Sequence, residues 1–224
     1  KLSNGVAAPI TTFTERNKRV NSVYGTATLS YANKIFLDVT GRNDWSSTLP
    51  SGNNSFFYPS VSTSFILSDL LRLPEQISFA KLRASWAQVG NDTAPYKTAK
   101  YYNTSAFPGS ASVSPTLYNA RFKPEISNSI EVGLDWRMFK QRFGLDLAFY
   151  NNITRNQILD VPMDQTTGYT KATMNSGKVR NRGIELQLDG TPVKTKNFTW
   201  NSTFTWAKNY NKVLSLAAGL TDGQ

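Results

Sequence analysis

Apolar and polar residues alternate in paired segments along this chain, and the segments are joined in turn by tight connections and by long polar ones. The two kinds of connection never trade places. In the clearest pair, Ile130, Val132, Leu134, Trp136 and Met138 alternate with Glu131, Gly133, Asp135 and Arg137. After Phe139-Lys140-Gln141-Arg142 the pattern resumes with Phe143, Leu145, Leu147 and Phe149. A symmetric turn sets Trp136 opposite Leu145, Leu134 opposite Leu147 and Val132 opposite Phe149. One face of the hairpin is then wholly apolar and the other mostly polar.

Three further hairpins follow the same logic. Leu29 and Tyr31 are expected to meet Ile35 and Leu37 across Ala32-Asn33-Lys34, with Thr26, Thr28 and Ser30 against Asp38, Thr40 and Arg42 behind them. Ile184, Leu186 and Leu188 are set against Phe198, Trp200 and Ser202. Val61, Thr63, Phe65 and Leu67 are set against Leu82, Ala84 and Trp86. The short connections fall at 32–34, 68–76, 140–142 and roughly 190–197. The long ones fall at about 43–57, 91–125 and 151–175, with a ragged end after Asn209. All short turns therefore lie on one side and all long loops on the other, as in outer-membrane barrels with short periplasmic turns and long extracellular loops. A soluble sandwich has no reason to sort its loops by side.

Composition narrows the chemistry. The 224 residues include no cysteine and no histidine, which excludes disulfides, thiolate or imidazole metal ligands and a Ser-His-Asp triad. No metal and no cofactor is expected. No apolar run approaches the ~20 residues of a membrane helix, but a barrel strand turns only alternate residues to lipid. Aromatics at 12% suit interfacial girdles. The net charge of +10 is dispersed, with Lys34, Arg72, Lys140, Arg142, Lys194 and Lys196 at turns, so no nucleic-acid partner is expected. The sequence begins at Lys1 without a Met or signal peptide and ends in loop-like residues, Leu220 to Gln224, without an apolar-aromatic closing strand. Residues 1–224 are therefore expected to be part of a barrel domain.

Several motifs occur in order. Asn175-Ser176-Gly177-Lys178-Val179-Arg180-Asn181-Arg182-Gly183-Ile184-Glu185-Leu186 leads, with Tyr58-Pro59-Ser60-Val61-Ser62, Lys81-Leu82-Arg83-Ala84-Ser85-Trp86 through Gly90-Asn91, Lys123-Pro124-Glu125, Phe149-Tyr150-Asn151 through Thr154-Arg155, and Ile35 to Ser47. Over about residues 19–215 this series resembles the SusC/RagA-like TonB-dependent outer-membrane transporters of Bacteroidetes. Ala87 stands where that family more often has Gly, and Asn43 is inserted before Asp44. The resemblance implies an all-β, antiparallel transmembrane barrel of about 22 strands, of which about eight are represented here. It implies a bacterial outer-membrane location, an N-terminal plug and a C-terminal closing strand outside this sequence, energy from TonB–ExbBD through that plug, a SusD-like lipoprotein lid, and import of glycans or peptides without enzymatic chemistry. The alternatives are a small, complete eight-stranded outer-membrane barrel acting as an adhesin or structural protein, and a soluble β-sandwich binding module.

Candidate residues fall into three groups. Arg83, Asp135, Arg137, Asp146 and Glu185 are expected to form a charge network on the polar, lumen- or plug-facing side. Asp135 opposite Asp146 is read as a charge pair bridged by arginine, not as a glycosidase dyad. Tyr31, Trp86, Trp136, Phe198, Trp200 and Trp206 are expected on the lipid face as an interfacial girdle. Trp45, Tyr96, Tyr101, Tyr102, Tyr118 and Tyr169 sit among amides and hydroxyls in the long loops, a mixture suited to stacking on sugars or holding peptides. Asn175, Gly177, Asn181 and Gly183 are read as structural.

Overall fold

The structure is a computed structural model and describes residues 15–104 and 109–216. In chain order the strands are β1 (Val20–Tyr31), β2 (Ile35–Ser46), β3 (Ser55–Ile66), β4 (Ile77–Asn91), β5 (Tyr102–Thr104), β6 (Ala111–Val113), β7 (Thr116–Leu117), β8 (Glu125–Met138), β9 (Phe143–Arg155), β10 (Ile158–Pro162), β11 (Lys171–Asn175), β12 (Lys178–Lys194) and β13 (Thr199–Ser215). A single helical turn, α1 (Leu67–Leu70), lies between β3 and β4. Eight of the strands form one antiparallel sheet in the order β1-β2-β3-β4-β8-β9-β12-β13. The others build two small sheets inside the long connections, β10-β11-β7 and β5-β6.

The register follows the alternation. Val132 pairs with Phe149, Leu134 with Leu147 and Trp136 with Leu145. Leu29 pairs with Leu37, and Tyr31 with Ile35. Across the whole sheet, Tyr31, Ile35, Phe65, Leu82, Leu134, Leu147, Leu186 and Trp206 are successive cross-strand partners. One step along each strand, the matching row is Ser30, Phe36, Ser64, Arg83, Gly133, Ala148, Glu185 and Ala207. The first row is apolar and the second, Phe36 apart, is polar or small, so the sheet has one greasy and one wet face. The apolar row begins beside the turn at Tyr31 but reaches Trp206 eight residues past Phe198. That drift is the shear that a tilted barrel wall requires.

Four boundaries differ from the sequence reading. The last hairpin turns at residues 195–198, not 190–197, because a bulge between Gly190 and Val193 lets pairing continue to Lys194 and Thr199. Ile184, Leu186 and Leu188 therefore face Lys208, Trp206 and Phe204, while Phe198 lies in the turn. The 43–57 connection shrinks to residues 47–54, since Asn43 to Ser46 still pair with β1. The 91–125 and 151–175 stretches hold β5 to β7 and β10 to β11. The end after Asn209 is regular strand to Ser215. Leu220 to Gln224, read as lacking a closing strand, lie outside the described residues.

At the last hairpin, at Asn43 to Ser46 and after Asn209, backbone pairing ran on past the point where side-chain alternation faded. The tight turns carry their own signature. Ala32 and Asn33 adopt left-handed φ of 51° and 55°, the geometry whose twist matches a hairpin.

The apolar face is open, with Leu29 63% and Tyr31 73% exposed. Among the described residues no second sheet covers it, which removes the sandwich alternative. β1 and β13 are the two edges and do not pair with each other, so these residues form a wall and not a closed eight-stranded barrel. No helix among the described residues is long and apolar enough to cross a membrane, which says nothing of crossing by strands. Leu134→Arg should cost about 2–4 kcal/mol by placing a cation at mid-bilayer, and should abolish assembly judged by heat-modifiable gel mobility. Glu185→Gln on the opposite face should leave assembly intact.

Candidate functional site in the lumen and the outer loops

On the polar face the charged residues interlock. Asp135 and Asp146 are direct partners across β8 and β9, an unfavourable juxtaposition unless cations intervene. Arg83 approaches from β4 and binds Asp146 through both nitrogens, with Nη1 donating to Oδ2 at 3.1 Å and Nη2 to Oδ1 at 2.8 Å. Its Nε lies 3.9 Å from Glu131. Arg137 lies 2.8 Å from Asp135 and 3.2 Å from Asp189. Asp135 Oδ1 has no hydrogen-bond donor aligned on it, so that contact is Coulombic more than directional. Asp189 also accepts from Thr203 at 2.9 Å. Glu185 is exposed on the same face and lines a cleft with Arg83, Glu131 and Asp146.

Glycines make this lattice possible. Gly133 sits between Arg83 and β9, and a Cβ there would collide with the Arg83 guanidinium. Gly144 sits between Arg137 and Asp189, and a Cβ there would collide with the Arg137 guanidinium. Each arginine thus lies flat across a glycine and reaches a carboxylate on the second strand over.

The long loops are tied down separately. Leu49, Phe56 and Phe122 form a buried cluster with Tyr58 and Ile158 packed on it. Asn175 clamps two loops: its side chain accepts from the Lys123 amide at 2.8 Å and donates to the carbonyls of Lys123 at 2.8 Å and Asn156 at 2.9 Å. Gly177 has φ of 86°, which explains a glycine there. Arg42, Asp44 and Tyr58 form a further polar knot, with Arg42 Nε donating to Asp44 at 2.8 Å and the Tyr58 hydroxyl donating to the same carboxylate. All three residues lie in the motifs Ile35 to Ser47 and Tyr58 to Ser62, but the sequence reading did not bring them together as a site.

Among the loop aromatics, Tyr96, Tyr101 and Tyr118 come together edge to face, with ring centroids 6.0 and 6.4 Å apart. They line a cavity of about 530 Å³ with Arg16, Lys97, Lys171 and Asp160. Tyr96 holds a left-handed φ of 65° to take this place. Tyr169 stands apart, accepting a hydrogen bond from Lys100 at 3.1 Å. Tyr102 is exposed on the β5 hairpin. Trp45 is not in a loop at all: it pairs within β2, and the alternation puts it on the apolar face.

Of the aromatics expected on the lipid face, Tyr31, Trp136, Phe198 and Trp200 lie near the short turns. Trp86 is ten residues past Gln76, and Trp206 is eight past Phe198. Trp136 lies beside the fully buried Ala80, and its indole N–H has no protein partner.

These features agree with what the chain is similar to. The model of the TonB dependent receptor-like β-barrel matches residues 2–224. The chain belongs to this family. It is an integral protein of the bacterial outer membrane. TonB-dependent receptor P26 of Formosa agariphila is 33% identical over 207 residues, covering 88% of this chain and 21% of the relative. TonB-dependent receptor SusC of Bacteroides thetaiotaomicron is 25% identical over 230 residues, covering 93% and 22%. The solved RagAB peptide transporter superimposes with a TM-score of 0.83 at 23% identity, covering 91% of this chain and 23% of that one. The chain thus spans about a fifth of the length of these curated relatives.

Arg83→Gln should leave Asp146 facing Asp135 without its cation. Both partners are about one-third exposed, so a loss of about 1 kcal/mol is expected in denaturant unfolding of the folded barrel. In the loops, hydrogen bonds from Thr173 and Lys171 hold Asp160 below the usual carboxylate range. A depressed folded pKa stabilises above the unfolded value near 4 and is lost as pH falls below it. Proteolysis within residues 156–177 should therefore accelerate below about pH 4, and Asp160→Asn should show the fast rate already at neutral pH.

Proposed function

We propose that this chain forms part of the wall of an importer that takes up glycans or peptides across the outer membrane. In this reading residues 1–224 are one portion of a barrel domain. The observation that carries it is the loop cavity where Tyr96, Tyr101 and Tyr118 meet Lys97 and Lys171 at the long-loop end of the wall. Ring faces and edges suit the C–H surfaces of sugars or apolar side chains, and the cations suit carboxylates on either. A cavity of this size holds a short oligomer's end group, not a whole polymer. Similarity to SusC and to the RagAB peptide transporter supports the same direction.

Within this proposal the arginine–carboxylate lattice lines the lumen against the plug. The two sets of outward aromatics mark the inner and outer rims of the apolar band. Energy comes through TonB–ExbBD acting on the plug, and a SusD-like lipoprotein closes over the loops. No bond-making or bond-breaking step is assigned to this portion.

The test uses the full-length protein in its own membrane, with uptake of labelled oligosaccharides and peptides measured at limiting concentration. Replacing Tyr96, Tyr101 and Tyr118 together by alanine should lower uptake of the cognate class roughly tenfold at an unchanged barrel level. Unchanged uptake of both classes would remove the loop cavity from the substrate path.

A further inference from the structure

The outward face of the eight-stranded sheet carries a charge pattern that transport does not explain. Following the alternation strand by strand, the outward positions of the described strands hold no Asp or Glu. They hold six cations, and all six lie in one corner: Arg155 on β9, Lys178, Arg180 and Arg182 on β12, and Lys208 and Lys212 on β13. At comparable distance from the short turns, β1 to β4 and β8 present Asn21, Asn43, Phe57, Gln88 and Asn128. Solvation at the rim of a bilayer would be served equally by cations spread around the wall, so their confinement to three adjacent strands calls for a local cause.

The corner has a graded structure. Nearest the bilayer centre is the row Leu147, Leu186 and Trp206. The next row is Phe149, Ile184 and Lys208, then Asn151, Arg182 and Tyr210, then Ile153, Arg180 and Lys212. Apolar side chains thus give way to cations along the same strands. Lys208 is ten residues past Phe198, at the upper end of the ~9–11 residues that cross a bilayer, and Arg182, thirteen before Thr195 across a bulge, lies just beyond it.

Phe149, Arg182, Ile184, Lys208 and Tyr210 line a cleft of about 380 Å³. Arg182 is held over the Tyr210 ring with its guanidinium carbon 5.3 Å from the centroid. Arg180 carries a buried Nε with no hydrogen-bond partner. Since β12 is flanked by β9 on one side and β13 on the other, the direct cross-strand neighbours of Arg180 and Arg182 are all described, and none is acidic.

We infer that this corner binds a phosphorylated lipid headgroup of the outer leaflet. The phosphate sits between Arg182 and Lys208, within reach of Arg180, and an acyl chain runs down over Phe149 and Ile184. Guanidinium and ammonium groups at the membrane rim bind phosphate oxygens by charge-assisted hydrogen bonds, and their aliphatic stems cover the apolar floor. With no carboxylate at the outward positions of the described strands to neutralise them, the cations are left for an anion that the membrane supplies. The inference depends on the outer-membrane barrel and not on what the protein imports.

Native mass spectrometry of the full-length barrel in neutral detergent tests this with diphosphoryl lipid A, phosphatidylcholine and inorganic phosphate as probes. The barrel should retain lipid A, hold phosphatidylcholine weakly, and keep lipid A in the presence of excess inorganic phosphate. The triple variant Arg180→Gln, Arg182→Gln and Lys208→Gln should lose lipid A retention by about tenfold or more while keeping heat-modifiable mobility. Equal retention by both proteins, or equally firm binding of phosphatidylcholine, would overturn the site. Displacement by inorganic phosphate would identify a simple anion site and overturn the lipid assignment. If the triple variant does not assemble, Lys208→Gln should lose roughly threefold and Lys208→Arg should retain binding; equal retention by those two would overturn it as well.

Discussion

Everything in this wall depends on the backbone hydrogen-bond ladder. In hydrocarbon an unpaired amide or carbonyl costs several kcal/mol, so each strand must be paired along its whole crossing. Consecutive antiparallel pairing meets that demand on both sides of the six inner strands and on one side of β1 and β13, and the pairing fixes which side chains share a face. It also explains why the strands outrun their alternation. β12 and β13 stay paired through a bulge at Gly190 and on to the turn, because ending the ladder early would leave polar backbone facing lipid. The membrane sets the least length a strand can have, and side-chain pattern decides which face is which.

Once the ladder exists, the two faces solve opposite problems. The outward face needs apolar side chains, and the row from Tyr31 to Trp206 supplies them without interruption. The inward face is wet and can hold charge, but charges opposite one another must be balanced across strands. Arg83 and Arg137 do this by lying over Gly133 and Gly144, so that each bridges a strand it does not belong to. The glycines remove side-chain bulk where a guanidinium passes, and the carboxylates lie at the far end. This cross-strand lattice stiffens the polar face without a hydrophobic core, which a one-sheet wall cannot have. The buried apolar cluster appears instead beneath the loops, where Leu49, Phe56 and Phe122 pack beyond the membrane span.

The long loops are therefore not loose ends. Asn175 joins two of them through three hydrogen bonds, the small sheets give them internal pairing, and the three tyrosines gather over a cationic cavity. Loops held at the ends of a rigid scaffold are a common place for function. At the corner of β9, β12 and β13 the outward side chains change from apolar to cationic along the same strands.

Much of this was legible in the residues themselves. Alternation with period two identified the strands, their partners in three hairpins and the sorting of turns by side, because side-chain direction along a strand is a local property. The facing of Asp135 and Asp146 and the nearness of Arg137 followed from the same count. Strand ends did not follow, because the ladder continues through Asn43 to Ser46 and through Asn209 to Ser215 on backbone bonding that side chains do not advertise. The passage of Arg83 over Gly133 to Asp146 depends on strands far apart in sequence. So does the meeting of Tyr96, Tyr101 and Tyr118, and Trp45 belongs to a strand and not to their company. The sequence by itself determined the alternation, the faces and the class of fold, since those need only neighbours along the chain. The tertiary structure decided which residues share a site, since shear and loop packing bring together groups whose spacing in sequence carries no period.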